Sequence, residues 1–215
     1  MAEINWDFIA QPGIEGESTH KTGYVPQAGK SGFTVGSVDI GQMSGGKFKD
    51  IWTMLQKHAN KMSPNNTGNI RLDIYDKLNP FAERKNVTDK EARQIKFEDS
   101  EIDYITQAAR GYFESRIKEK IANNELSEGW NKLDTESKTI LASVGWQYGL
   151  DSKWFKKLWK EKGNKKNMSA ILDLYGENEY SGRRKMESDY LNSVPREVQE
   201  ITDLERKDNF LTYQK

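Results

Sequence analysis

The chain has 215 residues, long enough for one generous domain with a real core. Its 33 basic and 33 acidic residues cancel, which removes the global field of a strongly basic nucleic-acid binder. The absence of cysteine excludes disulfides, thiol catalysis and cysteine-ligated metal, and two histidines, His20 and His58, leave little room for a serine triad.

The N-terminal stretch "MAEINWDFIAQPGIEGE" has no basic segment followed by a long apolar run, so no secretory signal is expected. No segment approaches the apolar length needed to span a membrane. The expectation is a chain made in the cytoplasm without a signal peptide.

In "TGYVPQAGKSGFTVGSVDIGQ", glycines at 23, 29, 32, 36 and 41 oppose a long helix, and the stretch reads as loop and β-hairpin. Helical periodicity begins near residue 45. Phe48, Ile51, Trp52, Leu55 and Ala59 share one side of "GGKFKDIWTMLQKHANKM", and "SPNNTGN" ends that helix, with His58 read as its capping residue. "DIYDKLNPFAERK" predicts a short helix before Pro80. The longest helix falls on "DSEIDYITQAARGYFESRIKEKIANNE", with Ser100 as its cap and Ile102, Ile105, Ala109, Tyr112, Phe113, Ile117 and Ile121 as its apolar positions.

"LDTESKTILASVGWQYG" places Ile140, Leu141, Val144 and Tyr148 on one stripe between a Thr or Asp cap and Gly149, and reads as the central buried helix. "DSKWFKKLWKEKG" follows, with Trp154, Phe155, Leu158 and Trp159 at helical spacing. "KNMSAILDLYG" and "YSGRRKMESDYLNSVP" are two more short helices. The lysine-rich "KKLWKEKGNKK" reads as a solvated face and turn, and no nucleic-acid partner is expected of it. The predicted class is α+β, mostly α. A small hairpin-bearing part over residues 1–45 and a helical lobe over 46–215 make one domain, expected to be monomeric.

Carboxylates flank the glycine-rich hairpin. Glu15 and Glu17 precede it, Asp39 lies at its far end, and Thr34 stands one turn of strand before Asp39. Glycoside hydrolysis needs one carboxylic acid to protonate the leaving oxygen and a second group to position water or attack directly. Any one of these acids, taken alone, reads equally as a turn or cap residue. No cluster has metal-ligand spacing, so no cofactor and no metal are expected.

The order Glu-Gly, "GYVP", "KSGFTVGSVDIGQ" resembles the pesticin-type branch of the phage lysozyme superfamily. "ASVGWQYG", residues 142–149, is similar to that branch's buried helix, and "GRRKMESDYL", residues 182–191, to its arginine-rich closing helix. The resemblance implies a lysozyme-like fold and a muramidase that hydrolyses the β-1,4 bond between N-acetylmuramic acid and N-acetylglucosamine. It implies Glu15 as general acid, held protonated by a desolvated setting, with Glu17 as the fallback. Asp39 takes the place of the second carboxylate and Thr34 that of the threonine that helps place water, in an inverting geometry. The Thr34 to Asp39 segment is one residue shorter than the family pattern, with Ser37 and Val38 where a Gly-aromatic pair is common.

The resemblance also points to Gln147, Tyr148 and Tyr24 as sugar contacts, against a core role for Tyr148. Trp146, Trp154 and Trp159 read as saccharide platform or core filling. Arg183 and Arg184 read as contacts to wall carboxylates or as surface charge, and His20 as lining the cleft. The implied partner is the glycan strand of peptidoglycan. Two settings fit: an antibacterial effector, delivered by a machine of the type VI secretion kind and neutralised in its producer by an immunity protein, or a phage endolysin. A catalytically silent glycan-binding module and a lytic transglycosylase are the alternatives.

Overall fold

The computed structural model describes residues 3–10, 21–26, 31–40, 51–63, 65, 68–82, 84, 86–123, 126, 129–175 and 181–193. Two compact units divide the chain at residue 163. Within the first lie α1 (Trp6–Ile9), β1 (Thr34–Val35), β2 (Val38–Asp39), α2 (Ile51–Met62), α3 (Leu72–Leu78), α4 (Asp89–Ala92), α5 (Asp99–Ala122), α6 (Thr135–Tyr148) and α7 (Lys153–Lys160). The second holds α8 (Lys165–Tyr175) and α9 (Ser181–Asn192). The class is the expected one, mostly helical with a small antiparallel hairpin.

Helix starts follow from side chains that accept the first, otherwise unbonded amides. Asn5 accepts from Phe8 N at 3.0 Å, Asp134 from Ser137 N at 2.8 Å and Ser152 from Phe155 N at 3.1 Å. Thr88 caps α4, a helix that the apolar periodicity did not predict, although the Thr-x-x-Glu spacing of Thr88 and Glu91 is a start signal. α5 begins two residues earlier than a Ser100 cap would require. Glu98 is its cap, and Glu101 reaches back to accept the Glu98 N–H at 2.8 Å.

Glu101 is buried and also receives Lys77 Nζ at 2.7 Å. Burial pushes its carboxyl up, but the Lys77 hydrogen bond and the Glu98 amide more than offset this and hold it below its ordinary value.

α6 is the central helix: every residue from Ser137 to Trp146 is buried. Asn5 N donates to Thr139 Oγ1 at 2.9 Å, tying α1 to it. Trp146 is core, meeting Trp6 edge-on at 5.4 Å and Phe113 at 5.5 Å between ring centroids. Trp159 stacks on Phe155, and Trp154 is half-buried.

On α2 the apolar face is turned from the expected one. Ile51, Met54, Leu55, His58 and Ala59 are buried, whereas Trp52 is 45 % exposed, its ring edge-on to Tyr75. His58 is no cap. It lies inside the helix, buried against Tyr104, and burial followed by the nearby Lys61 charge lowers its pKa.

In the second unit Arg183 and Arg184 are buried, which replaces the surface-charge reading. Both pair with Glu187, at 3.1 and 2.7 Å. Ser169 and Ser188 share a hydrogen bond, and Asn192 Nδ2 donates to Ser169 Oγ at 3.0 Å, closing α8 against α9.

Candidate functional site

The hairpin brings Thr34 and Asp39 together. β1 and β2 are joined by the two-residue turn Gly36–Ser37, so Val35 pairs with Val38 and Thr34 with Asp39. Gly36 has φ +55°, the left-handed backbone required at the first central position of the primed turns that match strand twist. The short segment between Thr34 and Asp39 is thus a tight turn with intact register.

The edge that Thr34 presents is also determined. Its N–H donates to Tyr24 O at 2.8 Å and its carbonyl accepts from Tyr24 N at 3.0 Å, so both backbone groups face the Tyr24 strand. Thr34 and Asp39 therefore form a non-hydrogen-bonded pair, the kind in which facing side chains approach most closely, about 4.5 Å between Cα atoms. They share one face of the hairpin. Gly32 touches both: its carbonyl accepts from Thr34 Oγ1 at 3.2 Å and its N–H donates to Asp39 Oδ2 at 3.3 Å. Thr34 is 4 % exposed, and Asp39 is half-buried with its Oδ1 shielded from solvent, so a sheltered hydroxyl stands beside a largely sheltered carboxylate.

The "GYVP" segment carries this hairpin. Thr22 bridges to Lys96, Gly23 N donates to Ile95 O at 2.9 Å, and Val25 N donates to Asp89 Oδ1 at 3.0 Å. One strand-like segment is therefore held between β1 and the chain entering α5. Gly23 permits it, because a Cβ there would stand 2.2 Å from the Phe33 ring. Phe33 in turn stacks on Phe81 at 4.0 Å and fills the small lobe with Phe97.

The hydroxyl of Tyr24, a residue for which a sugar contact is expected, donates to Gly36 O at 2.6 Å and latches the turn. Gln147 and Tyr148 stand half-buried in the last turn of α6, which Gly149 ends at φ +91°. Glu15, Glu17 and His20 lie outside the described residues, as does Phe48. Asp89 went unnoticed in the sequence, and its signal was the cap spacing at Thr88. Among the described residues no three His, Asp or Glu side chains stand together to hold a metal ion, and no helix is long and apolar enough to cross a membrane.

The chain matches the family model for pesticin, a bacterial toxin homologue of phage lysozyme, C-terminal part, over residues 3–166. That span takes in Glu15, Tyr24, Thr34, Asp39, Gln147 and Tyr148, and stops short of "GRRKMESDYL". No curated protein matches the chain.

Proposed function

Because the chain belongs to the pesticin family of phage lysozyme homologues, which supports a muramidase-type peptidoglycan hydrolase, we propose that it is an N-acetylmuramidase with Glu15, Thr34 and Asp39 as its catalytic residues. The supporting observation is the cross-strand pairing of Thr34 with Asp39, which sets a hydroxyl and a carboxylate on one face.

In the proposed reaction Glu15 gives its proton to the glycosidic oxygen as the bond to the anomeric carbon of N-acetylmuramic acid breaks. Water held by Thr34 Oγ1 and Asp39 attacks that carbon from the opposite face, and Asp39 takes the water proton. The configuration inverts, which calls for carboxyl groups about 6.5–9.5 Å apart. Gly32 steadies both water-holding side chains through its backbone. Gln147 and Tyr148 contribute sugar contacts from the end of α6.

The biological setting we propose is that of an antibacterial effector reaching a rival's periplasm by a type VI-like route, with an immunity protein that covers the hairpin face in the producer. The family's description as a toxin homologue favours this over an endolysin.

The test is digestion of purified peptidoglycan by the wild type, Glu15→Gln and Asp39→Asn, with soluble products read by mass spectrometry. Reducing muramic acid ends from the wild type alone are expected. Anhydro ends would make it a lytic transglycosylase, and no products from any form would leave a glycan-binding module. Equal products from Glu15→Gln would move the acid to Glu17.

A further inference from the structure

The segment that carries the hairpin uses both of its backbone edges. On one edge Tyr24 exchanges two hydrogen bonds with Thr34. On the other, Phe97 N donates to Lys21 O at 2.8 Å and Gly23 N to Ile95 O at 2.9 Å, the pattern of an antiparallel ladder around the bridge between Thr22 and Lys96. Two residues forward on one strand is two residues back on its partner, so the next donor on this edge, Val25 N, calls for the carbonyl of residue 93.

Before it can supply that carbonyl, the chain curls into α4. Arg93 N donates to Asp89 O at 2.9 Å, and Ile95 N bonds back to Ala92 O at 3.1 Å. A side chain takes the place of the ladder: Asp89 Oδ1 accepts Val25 N at 3.0 Å, while Oδ2 accepts from Arg93 Nε at 2.6 Å. The carboxylate is not needed to begin α4, because Thr88 caps that helix by accepting from Glu91 N at 3.2 Å. Its pairing with Arg93 is half-exposed, and such pairs add little stability.

What Asp89 holds is one peptide group. Val25 N–H and Tyr24 C=O belong to the same planar trans amide and point in opposite directions. The Tyr24 carbonyl accepts Thr34 N–H at 2.8 Å. Asp89, that amide and Thr34 therefore form a chain of two hydrogen bonds through a single rigid unit, and the plane cannot turn without straining both. An ionised acceptor makes the outer bond stronger than a neutral carbonyl would, and each bond in such a chain polarises the next.

We propose that Asp89 is a positioning residue of the hydrolytic site, which fixes the Tyr24 peptide and through it the place of Thr34 beside Asp39. The role rests on the hydrolase reading. In the proposed reaction Thr34 holds water and not sugar, so its displacement acts on turnover rather than on substrate binding. A shift of about 1 Å in such a group can cost about 100-fold in rate.

The test compares the full chain with Asp89→Ala, Asp89→Asn and Arg93→Gln. Hydrogen exchange of the Tyr24 and Thr34 amides is read by ¹⁵N NMR, and kcat and KM are read on solubilised glycan strands. In Asp89→Ala the two amides should exchange about tenfold faster or more, while those of α6 keep their protection. There kcat should fall about tenfold or more with KM within about twofold. Asp89→Asn keeps an acceptor for Val25 N, and Arg93→Gln removes only the ion pair, so both should stay close to the wild type.

Unchanged exchange and kcat in Asp89→Ala would overturn the proposal. So would equal loss in Asp89→Asn, which would assign the effect to charge, or faster exchange throughout α6, which would assign it to global stability. Faster exchange at Tyr24 and Thr34 alone, with no soluble muropeptides even from the wild type, would sink the hydrolase reading and leave the peptide linkage standing.

Discussion

Replacing Gly36 with alanine tests whether the turn is what sets Thr34 against Asp39. Two penalties act on the new methyl. At φ +55° an L-residue suffers the left-handed clash between Cβ and the following carbonyl, about 1–2 kcal/mol. The same Cβ would lie 3.0 Å from Ile102 Cγ2 and 3.7 Å from Thr106 Oγ1, so α5 or the turn must yield, adding about 1 kcal/mol at the lower end of the overpacking range. Together they predict a loss of about 2–3 kcal/mol, which for a chain of this size lowers Tm by roughly 4–12 °C.

Denaturant unfolding followed by tryptophan fluorescence measures the first effect, and release of soluble muropeptides measures the consequence for the hairpin face. Ile102→Ala removes the contact but leaves the backbone penalty. In that background Gly36→Ala should cost only about 1–2 kcal/mol, a coupling that a double-mutant cycle resolves. A cost under about 0.5 kcal/mol with full activity would refute the reasoning, since that is within the range of an ordinary surface substitution.

Tyr24→Phe deletes the hydroxyl that donates to Gly36 O, with an expected cost of about 0.5–1.5 kcal/mol. If the latch serves the catalytic face, kcat falls while KM holds; a rise in KM at constant kcat would mark Tyr24 as a sugar contact instead. His58 predicts a pH dependence. Its folded pKa is depressed by burial and by Lys61, so below the ordinary value of 6.5 the unfolded chain takes up a proton that the folded chain does not. Stability therefore falls as pH drops through that window toward the folded pKa. His58→Gln should flatten the fall in unfolding titrations, and an unchanged slope would refute it.

The helical lobe was largely legible because its signals are local. Asp134 and Gly149 bound α6, and its apolar stripe foretold a buried helix, since cap chemistry and periodicity act over a few residues. The hairpin was legible for the same reason, glycine spacing being a backbone property. Signals went unread where two residues with opposite charge lay one turn apart. Glu187, four residues after Arg183 and three after Arg184, sits at pairing distance on a helix, yet three charges in a row of polar residues look like a solvated face until packing buries them.

Composition and local pattern, then, determined a cysteine-free, mostly helical chain with one glycine-shaped hairpin and the order of motifs that marks its family. Tertiary structure alone decided which side of each element faces inward. Trp52 points outward and His58 inward because α2 packs its Ile51, Met54 and Leu55 side against the core, and a stripe at spacings of three and four leaves that rotation open by a residue. It also decided which backbone group the Tyr24 hydroxyl meets. A tyrosine hydroxyl can meet sugar or backbone equally well, and only the bridge to Thr34, a contact between segments ten residues apart, carries it to the Gly36 carbonyl.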